Sequence, residues 1–192
     1  LAEALKQCGA KSGMTFSFHH HLRNGDYVVN MVMKAAIEEL GLDNLTIAAT
    51  SLGEAHDPVA DYIEQGKITG IQTSGIRGRM GEVVSAGKLA TPAIIRSHGG
   101  LGYAVTDSRY ADHVVVVTDC LVDFPNFPAT VEAIDVDAVV VVDSIGDPKK
   151  IASAAARISQ NPRDLMMAEN VARVIASTPY FKDGFSFQTG VG

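Results

Sequence analysis

Apolar residues between positions 26 and 40 recur at spacings of three and four, which predicts a helix with one buried face. Gly41 follows the last of them and suits the left-handed residue that ends many helices. Two later stretches, 148–158 and 162–177, each begin with proline after an aspartate or asparagine. They predict two further helices, since these residues cap helix N-termini and proline fits the first turn. The apolar positions of the first helix are Val28, Val29, Val32, Met33, Ala36, Ile37 and Leu40.

Short runs rich in apolar and β-branched residues predict strands at 45–50, 68–72 and 92–96. Two further runs, 113–118 and 138–142, lack polar alternation. Such runs are typical of strands that are covered on both faces in a parallel sheet.

Two short helices are predicted between these strands. Asp57 and Pro58 are typical of a cap followed by a first-turn proline, and Gly66 suits the end of that helix. The second helix is predicted at 80–86. The alternation of strands and helices predicts an α/β fold with a largely parallel sheet flanked by helices.

Composition narrows the class of protein. The 192 residues are 46% hydrophobic and 20% charged, enough for one sizeable domain or a domain with a fragment of another. A formal net charge of −6 argues against nucleic acid as the main partner. No run is long enough to predict a membrane span and no secretion signal opens the chain. Cys8 and Cys120 have neither metal-ligand spacing nor the pattern of a disulfide scaffold, so the cytoplasm is the expected compartment.

The most informative chemistry lies in residues 70–82, which we call the glycine–arginine loop. Its glycines permit tight turns and close approach of backbone amides to a ligand. Arg77 and Arg79 flank Gly78, and a guanidinium pairs with carboxylates or phosphate in a fixed fork. The pattern is not a standard phosphate loop, so an anion site and a surface turn both remain open.

A second unusual stretch runs from Phe16 to Asp26 and contains three adjacent histidines. Neighbours in an extended segment point to opposite faces, and no cysteine or carboxylate completes a ligand set, which argues against zinc. Either the histidines line an anion pocket, with amides donated by Asn24 and Gly25, or they are ordinary surface residues.

Other polar residues follow the predicted strands. Glu54 is placed to act as a base or nucleophile, while Asp57 is expected to cap a helix and Glu82 to sit at a helix start. A third loop, 97–100, ends the strand at 92–96 and is expected to face a ligand.

The three stretches 16–26, 73–82 and 94–100 together resemble the α subunit of bacterial citrate lyase, a citrate CoA-transferase. The similarity runs through essentially all 192 residues in order, but over only about the first half of the family's chain. It implies the NagB/RpiA/CoA-transferase-like fold. It also implies a first domain over 1–184, a segment missing between Gly100 and Leu101, and the start of a second, absent domain at 185–192.

The resemblance implies an exchange on the thiol of an acyl carrier protein: citrate and the acetyl-thioester give the citryl-thioester and acetate. Relatives in the wider fold form a glutamyl thioester, whereas the citrate lyase type passes through a mixed anhydride. The thiol belongs to a phosphoribosyl-dephospho-CoA arm, with CoA or acetyl-CoA as analogue and no metal. The implied partners are a β subunit, which cleaves the citryl-thioester, the γ carrier subunit, and further copies of the chain.

Particular residues fit the chemistry that the resemblance implies. Ser74, Gly75 and Gly78 are expected to form the catalytic loop, whose amides stabilise the oxyanion of acyl transfer. Substrate carboxylates are expected to pair with arginines, a role that three guanidiniums suit chemically. The substrate-binding residues expected are Arg23, Arg77, Arg79, His19, His20, His21, Asn24, Ser97, His98 and Gly99.

Three alternatives remain at this point. A citramalate CoA-transferase subunit would have a similar sequence. A non-catalytic half that holds partner subunits together is also compatible with the sequence. A sugar-phosphate isomerase of related fold would need an acid–base pair near the glycine–arginine loop, for which only Glu54 and Glu82 are candidates.

Overall fold

The computed structural model describes residues 1–19, 22–97, 112–121, 133–151 and 159–186. The chain divides into two compact units, Leu1–Ile151 and Ala152–Gly192. Each unit is described by itself.

Four parallel strands form the main sheet of the first unit, in the order β1-β2-β3-β4. They are β1 (Thr15–Phe18), β2 (Leu45–Ala49), β3 (Ile68–Thr73) and β4 (Ile94–Ile95). Since all four run in one direction, their carboxyl ends lie at the same edge of the sheet. That edge positions the candidate site.

One helix of the described residues precedes these strands and three connect them. They are α1 (Ala2–Gln7), α2 (Val28–Lys34), α3 (Ala60–Glu64) and α4 (Gly78–Ser85). A π-helical segment, Ala35–Glu39, prolongs α2, and Gly41 follows it with a φ of 69°. The 3₁₀ turns are Arg23–Gly25, Glu54–Val59, Ala133–Asp135 and Pro148–Lys150.

The core lies where these helices pack on the sheet. Its fully buried members come from α2, α3, α4, the two central strands and the loop after β2, so the apolar spacing of 26–40 and the strand runs at 45–50 and 68–72 are confirmed. The largest are Met33, Leu45, Ile47, Leu52, Ile63, Ile68, Ile71 and Met80.

Several boundaries differ from the sequence prediction. The helix expected after Asp57 begins earlier, as a 3₁₀ turn at Glu54 with Gly53 as its N-cap, so Asp57 does not cap it. The strand expected at 92–96 is reduced to Ile94–Ile95, at the edge of the sheet. Both α1 and β1 were not predicted, because neither has a long apolar period.

The runs at 113–118 and 138–142 form β5 (Val115–Thr118) and β6 (Ala138–Val141), which pair in parallel in a separate two-stranded sheet. The expectation that both faces are covered is wrong within the described residues. Val116, Val139 and Val141 are 36%, 53% and 57% exposed, because two strands alone have few neighbours to cover them.

The second unit contains α5 (Pro162–Ala176). The Arg163 amide donates to Asn161 Oδ1 over 2.9 Å, so the predicted cap and first-turn proline are confirmed. Ala172, Ile175, Phe181 and Phe185 line an apolar hollow in this unit. No helix in the described ranges is both long and apolar enough to cross a membrane.

Candidate functional site at the carboxyl edge of the sheet

Three loops meet where β1, β2 and β3 end. The first is the turn Arg23–Gly25, the second follows β2 from Ser51 to Gly53, and the third is the segment 74–77 of the glycine–arginine loop. Two of the stretches that predicted a site, 16–26 and 70–82, therefore contribute a loop at this edge of the sheet, and of the third, 97–100, only Ser97 lies in the described residues.

The first loop is held by close backbone packing. Arg23 has a φ of 52°, and the carbonyl of Gly25 accepts from the Asp147 amide over 2.9 Å. A Cβ at Gly25 would lie 2.1 Å from the Asp147 carbonyl oxygen, which is backbone and cannot swing away. Gly146, on the facing side, has a φ of 152°. The two glycines thus allow the backbone of the turn to pack directly against the backbone of the segment after β6.

A buried pair, Asp26 and His56, lies behind the first two loops. The Gly53 amide donates to His56 Nδ1 over 3.0 Å, so the ring proton is on Nε2, 3.2 Å from Asp26 Oδ2. The same carboxylate oxygen accepts from the Val29 amide at the start of α2, over 3.1 Å. These bonds satisfy both ring nitrogens of a histidine that is 1% exposed.

The third loop is paired with the second. The Leu52 amide donates to the Gly75 carbonyl and the Arg77 amide to the Leu52 carbonyl, each over 2.9 Å. Leu52 and Ile76 form a parallel bridge beyond the ends of β2 and β3. Ser74 Oγ donates to the Thr50 carbonyl, and the Gly75 amide donates to Thr73 Oγ1 over 3.3 Å. The amides of Gly75 and Arg77 are therefore already engaged.

Asp57 lies at the N-terminus of α4. Gly78 begins that helix with a φ of 65°, and a Cβ there would be 2.5 Å from Asp57 Oδ1. The Met80 amide lies 3.5 Å from the same oxygen. Asp57 thus accepts from the first turn of α4, and the expectation that it caps the helix that follows it is wrong. The favourable anion position at this helix start is taken by a carboxylate of the chain itself.

Arg77 and Arg79 have different surroundings. One guanidinium nitrogen of Arg79 lies 2.6 Å from both Asp61 and Glu64 on α3. The hydrogen bond to Asp61 raises the pKa of Arg79 above its usual value. Arg77 is exposed, and within the described ranges its guanidinium makes no ion pair. The geometry therefore favours Arg77 as the arginine open to an external carboxylate.

Other candidate residues lie in the described part of the chain. Arg23, Asn24, His19 and Ser97 are exposed at the ends of their strands or loops. Arg96, beside Ser97, donates from Nε to Gln72 Oε1 over 2.8 Å. His20, His21, His98 and Gly99 lie outside the described residues.

The described ranges also contain candidate metal ligands and two cysteines. No group of three or more histidine, cysteine, aspartate or glutamate side chains there is arranged to hold a metal ion. Cys8 and Cys120 are both free thiols.

Sequence reasoning overlooked the Asp26–His56 pair. The two residues are 30 positions apart, and each has a local explanation, one before a helix and one in a turn. The available signal was that each residue follows a strand end in a parallel sheet, which brings such positions together.

A family model for the citrate lyase alpha subunit matches residues 1–101 and 99–192, which together span the chain. The chain belongs to the citrate lyase alpha subunit family. The predicted membership is thereby confirmed.

Curated members of the family are similar over the whole chain. The citrate lyase alpha chain of Haemophilus influenzae is 42% identical over 231 aligned residues, with 100% of this chain and 46% of the relative covered. Those of Klebsiella pneumoniae and Escherichia coli are each 40% identical, with 100% of this chain and 45% of the relative covered. The chain spans about half the length of the curated relatives it matches.

A crystal structure described as the alpha subunit of citrate lyase from Streptococcus mutans, in complex with citrate, is also similar. It is 41% identical with a TM-score of 0.77, and the match covers 100% of this chain and 45% of that one. The predicted α/β, CoA-transferase-like fold with parallel sheets flanked by helices is confirmed.

Proposed function

We propose that this chain is the first half of a citrate CoA-transferase subunit of citrate lyase. In that role the full-length protein exchanges acetyl for citryl on the thiol of an acyl carrier protein. Citrate and the acetyl-thioester are consumed, and the citryl-thioester and acetate are formed. Family membership supports this proposal, as does the citrate complex of the Streptococcus mutans relative.

The observation that carries the proposal is the exposed Arg77 at the carboxyl edge of the sheet. Its backbone is fixed by the hydrogen bond to Leu52, while its guanidinium has no partner among the described residues. A second exposed arginine, Arg23, belongs to the loop after β1. Unpaired guanidiniums on fixed backbones suit a substrate with several carboxylates, because each can bind one in a bidentate fork.

The transfer needs no nucleophile from the protein. A citrate carboxylate attacks the acetyl carbonyl, the carbon–sulfur bond breaks, and a mixed anhydride with a free thiolate results. Attack of the thiolate on the citryl carbonyl then releases acetate. Negative charge develops on a carbonyl oxygen in each step, and one well-placed donor is worth about 10²–10³ in rate.

We propose that the glycine–arginine loop contributes such a donor. The amide of Ile76 has no acceptor within the described ranges, whereas those of Gly75 and Arg77 are engaged. Ser74, Gly75 and Gly78 then serve by shaping the loop. Gly78 in particular leaves room for the Asp57 carboxylate.

The partners and the carrier arm are proposed on family membership. They are the β subunit, the γ subunit with its phosphoribosyl-dephospho-CoA arm, and further copies of this chain. Among the described residues, Arg23 and Arg77 are exposed at the carboxyl edge of the sheet. Guanidiniums there suit the phosphates of such an arm. The cytoplasm remains the expected compartment.

We also propose that the chain lacks a segment between Gly100 and Leu101. The two parts of the family match meet at residues 99–101, and the alignments run over 231 residues although the chain has 192. A first domain over 1–184 and the start of a second at 185–192 remain part of this proposal.

A thioester-exchange assay on the full-length protein tests the proposed function. Citrate and acetyl-CoA are supplied as substrates, and citryl-CoA and acetate are measured. Citrate-dependent formation of both products is expected. Exchange with citramalate but not citrate would reassign the substrate, and no exchange with either would favour a role as a non-catalytic subunit.

A further inference from the structure

The buried pair Asp26 and His56 has no part in the acyl transfer described above. Asp26 is 2% exposed and His56 is 1% exposed, so neither contacts a ligand dissolved in water at this edge. Burying a carboxylate and an imidazole is costly unless both are hydrogen-bonded. Their position between the first two loops therefore depends on the hydrogen bonds that they make.

The pair is the middle of a continuous series of hydrogen bonds. Asp26 ends the turn that carries Arg23, and it binds His56 Nε2. His56 Nδ1 accepts from Gly53, and the next residue back, Leu52, is hydrogen-bonded on both sides to the loop that carries Arg77. The series thus links the backbone of one exposed arginine to that of the other.

Close packing supports the same link. A Cβ at Gly53 would lie 3.0 Å from Asn24 Oδ1, so the first two loops touch directly beside the hydrogen bond to His56. This contact and the bond to the imidazole together restrict the distance between the two loops.

We infer that Asp26 and His56 are positioning residues that fix the spacing between the turn of Arg23 and the loop of Arg77. This spacing selects substrates that present two or more carboxylates at once. The inference rests on the proposed function for its substrate, but the link between the loops is a property of the structure itself.

Substitutions of His56 in the full-length protein separate the two bonds of the imidazole. His56→Asn keeps an acceptor near the Nδ1 position but loses the donor to Asp26. His56→Gln keeps a donor near the Nε2 position but loses the acceptor for Gly53. Because the bonds act in series, each variant is expected to raise the KM for citrate by about 10-fold or more, with a smaller change in kcat.

A double-mutant cycle with Arg77→Ala distinguishes positioning from general destabilisation. If His56 acts through the placement of Arg77, the double variant has a KM for citrate close to that of Arg77→Ala alone. Effects of His56→Gln and Arg77→Ala that simply multiply would overturn the inference, since independent sites are additive in free energy.

Asn30→Ala is the matched control. Asn30 Nδ2 donates to the Ala55 carbonyl over 2.7 Å, so this variant also removes a hydrogen bond between α2 and the 54–59 turn, but outside the series. Its KM for citrate is expected to stay within about two-fold of wild type. A KM defect as large as that of His56→Gln would assign the effect to destabilisation.

Hydrogen exchange of the full-length protein provides a readout that does not depend on turnover. His56→Gln is expected to accelerate exchange in peptides covering 74–80, while Asn30→Ala is not. Unchanged exchange there, together with normal citrate turnover by wild type, would overturn the positioning role and leave the proposed function in place. Absence of turnover by wild type with accelerated exchange in the variant would refute only the proposed function.

Discussion

Arg77 and Arg79 lie two positions apart and carry the same charge, but their environments differ. Asp61 and Glu64 neutralise Arg79, whereas Arg77 is exposed with no described partner. We predict that Arg77→Ala lowers kcat/KM for citrate by about 10–10² fold, because a hydrogen bond to a charged group contributes about 1.5–3 kcal/mol. Its free energy of unfolding is expected to change little. Steady-state exchange assays and urea unfolding measure the two effects.

Arg79→Ala is the control for that substitution. It is expected to lower the free energy of unfolding by at most about 1 kcal/mol, since its ion pairs are exposed, and to leave the KM for citrate unchanged. The reverse pattern, with citrate binding lost in Arg79→Ala and retained in Arg77→Ala, would contradict the assignment. From the sequence alone both arginines were candidate ligands. The pairing of Arg79 could not be foreseen, because it depends on residues 15 and 18 positions away.

Gly25 tests the close packing of the Arg23–Gly25 turn. Gly25→Ala places a Cβ against the backbone of Asp147, so we expect a loss of about 1–3 kcal/mol or more in the free energy of unfolding. The control is Gly81→Ala, whose Cβ would meet ordinary contacts at 3.4 Å or more within a helix. Equal midpoints of chemical denaturation for the two variants would refute the close packing of the turn.

The sequence predicted two stretches of the candidate site, 16–26 and 70–82, but not the contacts inside it. Glycines and arginines are recognisable because their backbone freedom and charge are local properties. The bond between Asp26 and His56 depends on a parallel register that brings residues 30 positions apart together. The same holds for Asp57, whose capped helix begins 21 positions later.

Among the elements, α3 is tied to the π-helical segment by the Tyr62 hydroxyl, which donates to Glu38 Oε1 over 2.6 Å. Partial burial, followed by this bond, raises the pKa of Tyr62 from 10.0 to about 12. The neutral phenol is the form that binds. Its contribution to stability is therefore fully present below pH 10.0 and disappears as the pH rises through about 12.

A phenolate absorbance titration of the full-length protein checks this prediction. The difference between wild type and Tyr62→Phe is expected to titrate with a midpoint near pH 12. A difference curve centred near pH 10 would mean that the bond between Tyr62 and Glu38 does not form in solution.

Elements with strong periodicity or clear caps were predictable. The helix at 26–40, the central strands and the cap of α5 depend on neighbouring residues, and the structure confirms them. Short elements were less predictable: α1 and β1 have four to six residues and take their stability from packing on the core. The length of β4 depends in the same way on its neighbours in the sheet.

For the whole molecule, β4 is the described strand that most closely precedes the proposed missing segment. Ile94 and Ile95 are 46% and 64% exposed, and they lie a few residues before the point where the two parts of the family match meet. We predict that the 192-residue chain alone lacks citrate-dependent exchange. Joining the missing segment and the second half is expected to restore it. Full activity of the 192-residue chain would contradict this prediction.

The fold class could be predicted from the sequence because alternating strands and helices constrain the topology. The two sheets and the exposure of β5 and β6 were not predictable. Uninterrupted β-branched runs indicate burial only when further elements cover both faces, and a run of residues does not specify its neighbours.

Mass spectrometry of the acyl carrier protein tests the central claim most directly. The full-length protein is mixed with acetylated carrier and isotopically labelled citrate, without the proposed β subunit, so that any citryl product is retained. The account predicts that the carrier arm changes from acetyl to labelled citryl, with one acetate released per exchange, and that Arg77→Ala slows this change while Arg79→Ala does not. A carrier that keeps its acetyl group at saturating citrate would contradict the account.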